Sequence, residues 1–267
     1  MSPINYFWIG ESISPVEALA LIACRSNGHQ PVLWAYSKIR NVPEFVTVRD
    51  ACELLDYRVV EYYANELQLP PANISDIFRY KLLRHVGGVY SDTDVVLVRN
   101  VDKIWPSDFF CSTFEYGDLG ELASNCFMRI AAGSDAAVFM DRECDRRVAE
   151  IAARGRNDVH YCYLGPFLVQ KCAKELHVDV LSYDYVNPVS WRWTNKIIAY
   201  KRPDRRFLVK RALRPWWPGA ESRGYGLTQR TYAVHLCNDM WKQCGLDRNA
   251  SFHPGSLYER LKRRYGT

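Results

Sequence analysis

The chain of 267 residues has no hydrophobic run long enough to cross a membrane as a helix. Such a helix needs roughly 18 or more consecutive apolar residues, and no stretch of this sequence reaches that length. The start of the chain, MSPINYFWIGES, also lacks the charged and apolar regions of a secretory signal. We therefore expect a cytoplasmic protein.

The sequence also lacks paired cysteines. Its nine cysteines are scattered, odd in number and never spaced as C-x-x-C. This pattern indicates reduced thiols and excludes a disulfide framework or a cysteine-based zinc site. Internal repeats and low-complexity segments are absent as well. The composition, 48% hydrophobic and 24% charged, is that of an ordinary globular domain.

Basic residues are concentrated in the C-terminal third. The net charge is only +5, but KRPDRRFLVKRALRPWWPG (residues 201–219, the basic segment) and ERLKRRYGT carry much of it. Such patches bind phosphate-rich partners or an anionic membrane surface, or they form only a solvated face. Both interpretations stay open. Because no RNA-binding or DNA-binding motif is present, we expect no nucleic-acid partner.

The order of predicted elements indicates an α/β fold. A strand at INYFWIG is followed by a helix with a serine cap and a proline at its first position, and then by strands at PVLWAYS and FVTVRDA. Alternation of strands and helices predicts a parallel sheet covered by helices. Further along, we predict a strand at VVLVRNV, a strand at ASNCFMRIAAG, and helices over residues 135–155 and 163–176.

A helix is predicted over residues 72–88, ANISDIFRYKLLRHVGG. Its apolar residues recur near helical spacing, and two glycines follow its last turn. Asp76 and Arg79 are three residues apart and therefore lie on one face of this helix. By spacing alone they are an exposed ion pair worth at most about 1 kcal/mol. Only their context indicates a further role.

Two aspartates follow this helix in GGVYSDTDVVLVRN, residues 87–100. Aspartate is a poor strand former, and Asp92 and Asp94 lie where a turn meets the sheet, a place where open α/β sheets bind ligands. Two carboxylates one residue apart can bind Mg²⁺ or Mn²⁺, and such an ion keeps open positions for a diphosphate. The alternative is a solvated turn, because a single D-x-D arises often by chance.

The block from residue 75 to residue 94 resembles glycosyltransferases with a sugar-binding D-x-D region. These are glycosyltransferase family 32, the related capsular-polysaccharide transferases and the glucosylating toxins. Their pattern is Ser-Asp, two residues, Arg, a helix, Gly-Gly, an aliphatic residue, Tyr, one residue and Asp-x-Asp. The chain matches it at Ser75, Asp76, Arg79, Gly87, Gly88, Tyr90, Asp92 and Asp94.

Two further segments resemble the same family. YFWIG is similar to its first strand, where an aromatic residue stacks on the nucleotide, and here Trp8 would take that role next to Phe7. YAVHLCNDMW is similar to its closing loop, where a tryptophan follows a histidine. The matching residues there are His235, Asn238 or Asp239, and Trp241. Trp8 and His235 also have a simpler interpretation as core residues.

The resemblance implies one domain of the GT-A fold over residues 1–267, with a mainly parallel central sheet flanked by helices. Residues 1–104 would bind the nucleotide sugar, and residues 105–267 would bind the acceptor and supply a closing C-terminal loop. The implied activity is a retaining, metal-dependent hexosyl transfer. The sugar would move from a nucleotide diphosphate, with UDP expected, to a hydroxyl of a glycan or lipid-linked acceptor in surface polysaccharide synthesis.

The resemblance also implies roles for individual residues. The implied catalytic residues are Asp76, Arg79 and Trp241, the last as a lid that excludes water. The implied ligands of Mn²⁺ or Mg²⁺ are Asp92, Asp94, His235 and Asp239, with the choice between the last two open. The implied contacts to the nucleotide sugar are Phe7, Trp8, Ser75, Asp76, Arg79, Tyr90, Asp92, Asn125, Asn238 and Trp241.

The acceptor side is less specified by the sequence. No general base is evident, and Glu115, Asp118 and Glu121 are the candidates; in retaining transfer the leaving phosphate can take the acceptor proton. The basic segment leads into Trp216 and Trp217, a combination that favours peripheral contact with the anionic inner face of a membrane. A lipid-linked acceptor would be met there.

Two other functions stay open. A phosphohydrolase of the aspartyl-phosphate type also places D-x-D beside a sheet, although it needs an apolar strand before the first aspartate and a later pair of acidic residues. A catalytically silent module that binds a sugar nucleotide or a glycan would use the basic segment as its docking surface.

Overall fold

A central sheet of seven strands organises the fold in the computed structural model, which describes residues 1–102, 107–113, 122–155, 160–213 and 224–267. The strands lie in the order β3-β2-β1-β4-β7-β6-β8. They are β1 (Pro3–Trp8), β2 (Gln30–Ala35), β3 (Thr47–Asp50), β4 (Gly88–Ser91), β6 (Phe109–Thr113), β7 (Leu122–Ile130) and β8 (Asp179–Leu181). A separate two-stranded sheet pairs β5 (Val95–Leu97) with β9 (Ala233–His235).

The central sheet is mostly parallel. Strands β3, β2, β1 and β4 are parallel neighbours, and β7 runs antiparallel between β4 and β6. Strand β8 then joins the edge parallel to β6. Helices flank this sheet, so the predicted α/β class with a mainly parallel central sheet is confirmed. The buried strand predicted at VVLVRNV is present only over Val95–Leu97, and it belongs to the small sheet.

Eight α-helices lie within the described ranges, and none of them is long and apolar enough to cross a membrane. The predicted helices over residues 72–88, 135–155 and 163–176 are all present. The helices are α1 (Pro15–Ser26), α2 (Tyr57–Asn65), α3 (Pro71–His85), α4 (Asp135–Arg154), α5 (Pro166–Leu176), α6 (Arg205–Leu213), α7 (Asn238–Gln243) and α8 (Leu257–Tyr265).

Helix α1 begins as its sequence predicts. The Ser14 side chain accepts a hydrogen bond from the Val16 amide, and Glu17 accepts one from the Ser14 amide at 2.7 Å, which completes a capping box. Glu17 is fully buried. Its second carboxylate oxygen accepts bonds from Asn238 at 2.6 Å and Arg248 at 3.0 Å. The same residue therefore caps α1 and anchors the C-terminal region to it.

The strand order fixes where a ligand can bind. Strand β1 lies between β2 and β4. The chain therefore continues from β1 to β2 and β3 on one side, and later returns to β4 on the other side of β1. Open α/β sheets bind ligands at the carboxyl ends of strands at such a switch point. Trp8 is the last residue of β1, and Asp92 follows the last residue of β4. Both residues therefore lie at this edge of the sheet.

The small sheet connects distant parts of the sequence at the same edge. Val95, which follows the second aspartate of the D-x-D, is paired with His235 across β5 and β9. The backbone N–H of Leu236 donates to the carbonyl of Asp94 at 2.9 Å. The pairing therefore brings the histidine of the C-terminal segment next to the D-x-D turn.

Candidate active site

Asp92, Asp94 and His235 form a cluster that can hold a metal ion. One ligand atom from each residue lies within 4.8 Å of the others, and His235 Nε2 is 3.4 Å from Asp94 Oδ2. We call these three residues the metal cluster. Asp92 and Asp94 reach it from a tight turn after β4, in which the Val95 amide donates to the Asp92 carbonyl at 3.1 Å. His235 reaches it from β9.

Asn187 sets the orientation of the His235 ring. Its side-chain nitrogen donates to the Ser112 carbonyl at 2.8 Å, so its Oδ1 faces His235 Nδ1 at 3.0 Å. An amide oxygen only accepts, and Nδ1 therefore carries the ring proton. In the neutral ring this leaves the lone pair of Nε2 directed at the aspartates, as in metal sites where a second residue orients the histidine. Sequence reasoning missed Asn187, since nothing in VNP marks it.

Asp94 is held as a carboxylate. Its Oδ2 accepts the backbone N–H of Asn238 at 2.6 Å. Burial alone would raise the pKa of Asp94, but the charge and hydrogen bond of His235 and the Asn238 amide lower it below its ordinary value. For His235 burial alone would lower the pKa, whereas Cys237 and Asp94 raise it well above the ordinary value. Without a metal, the protonated His235 ring and the ionised Asp94 carboxylate therefore stabilise each other.

Asp92 differs from its neighbour. Burial raises its pKa to about 7, with the charge of Asp94 adding to the effect and Arg79 opposing it. Arg79 Nη2 lies 2.9 Å from Asp92 Oδ1. The two aspartates of the D-x-D therefore have pKa values on opposite sides of the ordinary one, as expected of carboxylates that share a small buried space.

Arg79 is the centre of a second, buried network. Only 3% of the residue is exposed, and its Nη2 contacts Asp76 at 3.2 Å as well as Asp92. Its Nε donates to the Ser75 carbonyl at 3.2 Å, its Nη1 to the Asn125 carbonyl, and its guanidinium lies over a tyrosine ring. The interpretation of Asp76 and Arg79 as an exposed ion pair is therefore wrong. Because these donors all bond to protein groups, Arg79 positions the aspartates.

Asp76 belongs to the same buried network. Its carboxylate accepts hydrogen bonds from Asn125 at 2.7 Å and Asn73 at 3.4 Å, and burial raises its pKa. Gly165, just before α5, packs against it: a Cβ there would lie 2.9 Å from Asp76 Oδ2 and 3.2 Å from Asn125 Nδ2. A glycine at this point therefore lets the chain approach the carboxylate closely.

Tyr90 lies beneath this network. It is buried, and the Arg79 guanidinium lies over its ring, with Cζ 4.7 Å from the ring centroid. Its hydroxyl is 3.1 Å from Ser75 Oγ. Ser75 is half-buried. The structure places Tyr90 below the site as a support, and not at an open surface where a ligand would touch it.

Trp8 lines an open cleft of about 450 Å³. Its ring is half-buried, and its indole N–H donates to the Ser12 carbonyl at 3.1 Å. Gly10 has a φ of +148°, and a Cβ there would lie 3.1 Å from the indole nitrogen, so glycine leaves room for the ring. Lys242 and Arg248 also line the cleft, together with the acidic Glu17 and Asp247.

Three predicted site residues lie elsewhere. Phe7 is buried and stacks on Phe78 with ring centroids 3.9 Å apart, so it is a core residue. Trp241 is fully buried, and its indole N–H donates to the Leu236 carbonyl at 2.8 Å. The prediction that Trp241 is a water-excluding lid is therefore wrong. Asp239 is exposed and bonded to Gln243 at 2.7 Å, outside the metal cluster.

Other predicted residues lie outside the described ranges or away from the cluster. The candidate bases Glu115, Asp118 and Glu121, and the tryptophans Trp216 and Trp217, are not among the described residues. Within the basic segment, the described part includes exposed cations on and before α6. These are Lys201, Arg202, Arg205, Arg206 and Lys210.

The residues of the metal cluster fit a divalent ion. Two carboxylates and one imidazole with an oriented Nε2 are ligands found around first-row divalent metals, and carboxylates suit Mn²⁺ and Mg²⁺. Three protein ligands leave further positions open for a ligand of the ion. The positive charge of Arg79 beside Asp92 reduces the electrostatic repulsion between Asp92 and Asp94.

Comparison with known proteins agrees with this geometry. Residues 26–110, roughly a third of the chain, match the family described as "Glycosyltransferase sugar-binding region containing DXD motif". No protein with a curated description matches the chain. Among solved structures, the chain is similar to the PaToxG glycosyltransferase, with a TM-score of 0.50 and 14% identity over 99% of this chain and 85% of that one.

A second solved structure is more distant. It is the UDP-bound glycosyltransferase domain from the YGT toxin, with a TM-score of 0.41 and 10% identity over 97% of this chain and 81% of that one. The first structural likeness shows that the chain has the fold of a glycosyltransferase domain, consistent with GT-A. Together with the matched region, it supports a transferase.

Proposed function

We propose that the protein is a metal-dependent, retaining glycosyltransferase that uses a nucleotide sugar. The observation that carries this proposal is the meeting of Asp92, Asp94 and His235 at the carboxyl edge of β1 and β4, within a region that matches sugar-binding D-x-D sequences. The eight-position pattern further favours the family 32 type, with its related capsular-polysaccharide transferases.

Asp92, Asp94 and His235 would hold Mn²⁺ or Mg²⁺. When bound, the ion supplies positive charge that stabilises the leaving diphosphate. Asp94 and His235 are held in place for this role by the Asn238 amide and by Asn187. Asp239 has no part in it, because its carboxylate is exposed and bonded to Gln243.

The nucleotide would occupy the cleft beside Trp8, whose half-buried ring offers a face for the base, here proposed to be uracil. Lys242 lines that cleft and would attract phosphate oxygens, whereas Arg248 is paired there with Glu17. In the buried network around Arg79, Asp76 would accept hydrogen bonds from the sugar hydroxyls and Asn125 would donate hydrogen bonds to them. Arg79 would act through them, as it bonds to both.

The acceptor would bind in the part formed by residues 105–267, which includes Gly165 beside Asp76. We propose a glycan or lipid-linked acceptor hydroxyl and a role in surface polysaccharide synthesis. In retaining transfer the leaving phosphate can take the acceptor proton, so the chain needs no separate base. The exposed cations of the basic segment would hold the protein at an anionic membrane face, each contributing about 1 kcal/mol.

A panel of nucleotide sugars tests the proposal. Purified protein is incubated with UDP-sugars and GDP-sugars and either Mn²⁺ or Mg²⁺, and release of nucleotide diphosphate and free sugar is measured. We expect turnover of one sugar nucleotide that Asp94→Asn abolishes and Asp239→Asn, a control on the neighbouring helix, leaves intact. NMR of the first product formed should show retention at the anomeric carbon.

The other functions give different results in the same assay. Hydrolysis of simple phosphate monoesters with a trapped phosphoryl group on Asp92 would favour the phosphohydrolase. Metal-dependent binding of a nucleotide sugar without any turnover would favour a binding module. Equal turnover by Asp94→Asn at saturating metal would contradict the assignment of the metal cluster.

A further inference from the structure

Two arginines from separate basic stretches of the sequence meet at one surface cleft. Arg211 belongs to α6 and Arg260 to α8, and both line a cleft of about 210 Å³ together with Tyr200. Leu257, the first residue of α8, also lines it, so the positive end of this helix borders the same space. No residue of the metal cluster lines this cleft.

Among the residues that the structure describes, only positive charges line this cleft. Across the described ranges, neither Arg211 nor Arg260 forms an ion pair, whereas Lys262 on the same helix pairs with Glu259 at 3.5 Å. Partial burial and the neighbouring charge of Arg260 lower the pKa of Arg211. Because a guanidinium stays protonated in proteins, the two positive charges repel each other unless an anion lies between them.

The walls of the cleft leave space for these groups. Gly226 has a φ of +159°, and a Cβ there would lie 2.7 Å from Nη2 of Arg211. Gly255 leaves similar space, since its Cβ would lie 3.1 Å from the Tyr200 hydroxyl. The Tyr200 ring stacks on His253 at 5.4 Å, and its hydroxyl makes no hydrogen bond within the described part of the chain. The hydroxyl is therefore a free hydrogen-bond donor in the cleft.

We propose that this cleft is a binding site for a phosphate monoester, held by Arg211, Arg260 and the Tyr200 hydroxyl. Guanidinium groups bind phosphate oxygens in a bidentate manner. A phosphate monoester carries a charge of about −1.5 to −2 at neutral pH, which matches two arginines. The cleft, at about 210 Å³, is smaller than the roughly 300 Å³ at which pockets for drug-sized ligands begin. It therefore accepts a phosphate group and not a nucleotide sugar.

The phosphate can belong to a small soluble molecule or to the headgroup of a lipid. The basic segment and the C-terminal stretch both contribute an arginine, so the exposed cations around the cleft would attract either source. The proposal does not depend on glycosyl transfer, because the cleft and the metal cluster share no residue.

Calorimetric titration in phosphate-free buffer tests the soluble source, with methyl phosphate as the probe. Sedimentation with phosphatidylcholine vesicles, with and without phosphatidic acid, tests the lipid source. The variants are Arg211→Gln and Arg260→Gln, and the control is Arg263→Gln, which removes the same charge from an exposed position of α8 that does not line the cleft. Melting temperatures without ligand verify that each variant folds.

We expect each arginine variant to weaken binding by about tenfold or more, the loss of one charge-assisted interaction. Arg263→Gln should change binding by less than about twofold. The same variant pattern with vesicles alone would assign the site to a lipid phosphate. Absence of binding to both probes would overturn the proposal, as would equal weakening by Arg263→Gln, which would indicate general attraction to a basic surface. Because the Arg260 side chain is exposed, Arg260→Gln remains informative if Arg211→Gln does not fold.

Discussion

Replacement of Arg79 should destabilise the protein far more than loss of an exposed ion pair would. Arg79 is 3% exposed and compensates two carboxylates, the buried Asp76 at 3.2 Å and the half-buried Asp92 at 2.9 Å. Removing one partner of a buried ion pair leaves an unpaired buried charge and costs about 3–5 kcal/mol. We therefore expect Arg79→Met, which keeps the apolar stem, to lower the free energy of unfolding by about that amount.

Urea unfolding followed by circular dichroism measures this effect, with Arg58→Met as the control. Arg58 pairs with Asp56 at 2.8 Å, but its side chain is 86% exposed, so its loss should lower the free energy of unfolding far less than the loss of Arg79. A second substitution, Asp92→Asn, should recover part of the loss in the Arg79→Met background, because it removes one of the stranded charges. A loss below about 1 kcal/mol for Arg79→Met, without recovery, would refute the reasoning.

Three further predictions concern the core, the close approach of Gly165 to Asp76, and pH. Trp241→Ala should lower the free energy of unfolding by about 3–5 kcal/mol in the same urea assay, since a buried ring is lost. Loss of turnover with unchanged stability would instead support the prediction that Trp241 is a lid. Gly165→Ala should weaken binding of the nucleotide sugar in calorimetry, because its Cβ would displace the Asp76 carboxylate that lies 2.9 Å away; unchanged affinity would remove Asp76 from the sugar site. Affinity for Mn²⁺ should rise with pH through about 7, where Asp92 loses its proton, by about tenfold per pH unit for each proton displaced; a flat profile from pH 6 to 8 would contradict this.

Local sequence signals predicted the elements that carry the site. The capping box of Ser14 and Glu17 is present at the start of α1, and the helix with Asp76 and Arg79 ends before the predicted glycines. Alternation of strands and helices predicted the parallel half of the sheet, so Asp92 could be placed at a strand end. These features depend on residues that are close together in the sequence, so they can be predicted from a single sequence.

Features that depend on distant contacts could not be predicted in the same way. The pairing of Val95 with His235 joins segments far apart in sequence, and no local pattern specifies it. Asn187 orients the histidine from a third segment. Burial also depends on the whole fold: Trp241 in a polar stretch was interpreted as a lid, yet it packs edge-on against Tyr258 with ring centroids 5.0 Å apart.

Direct titration with Mn²⁺ tests most closely the claim that Asp92, Asp94 and His235 hold a divalent ion. Electron paramagnetic resonance counts free Mn²⁺ as protein is added at pH 8, with and without UDP. The account predicts one site in the wild-type protein, tightened by UDP, that Asp94→Asn and His235→Ala each weaken by at least about tenfold, whereas Asp239→Asn leaves it unchanged. Equal Mn²⁺ binding by Asp94→Asn and the wild-type protein would contradict it.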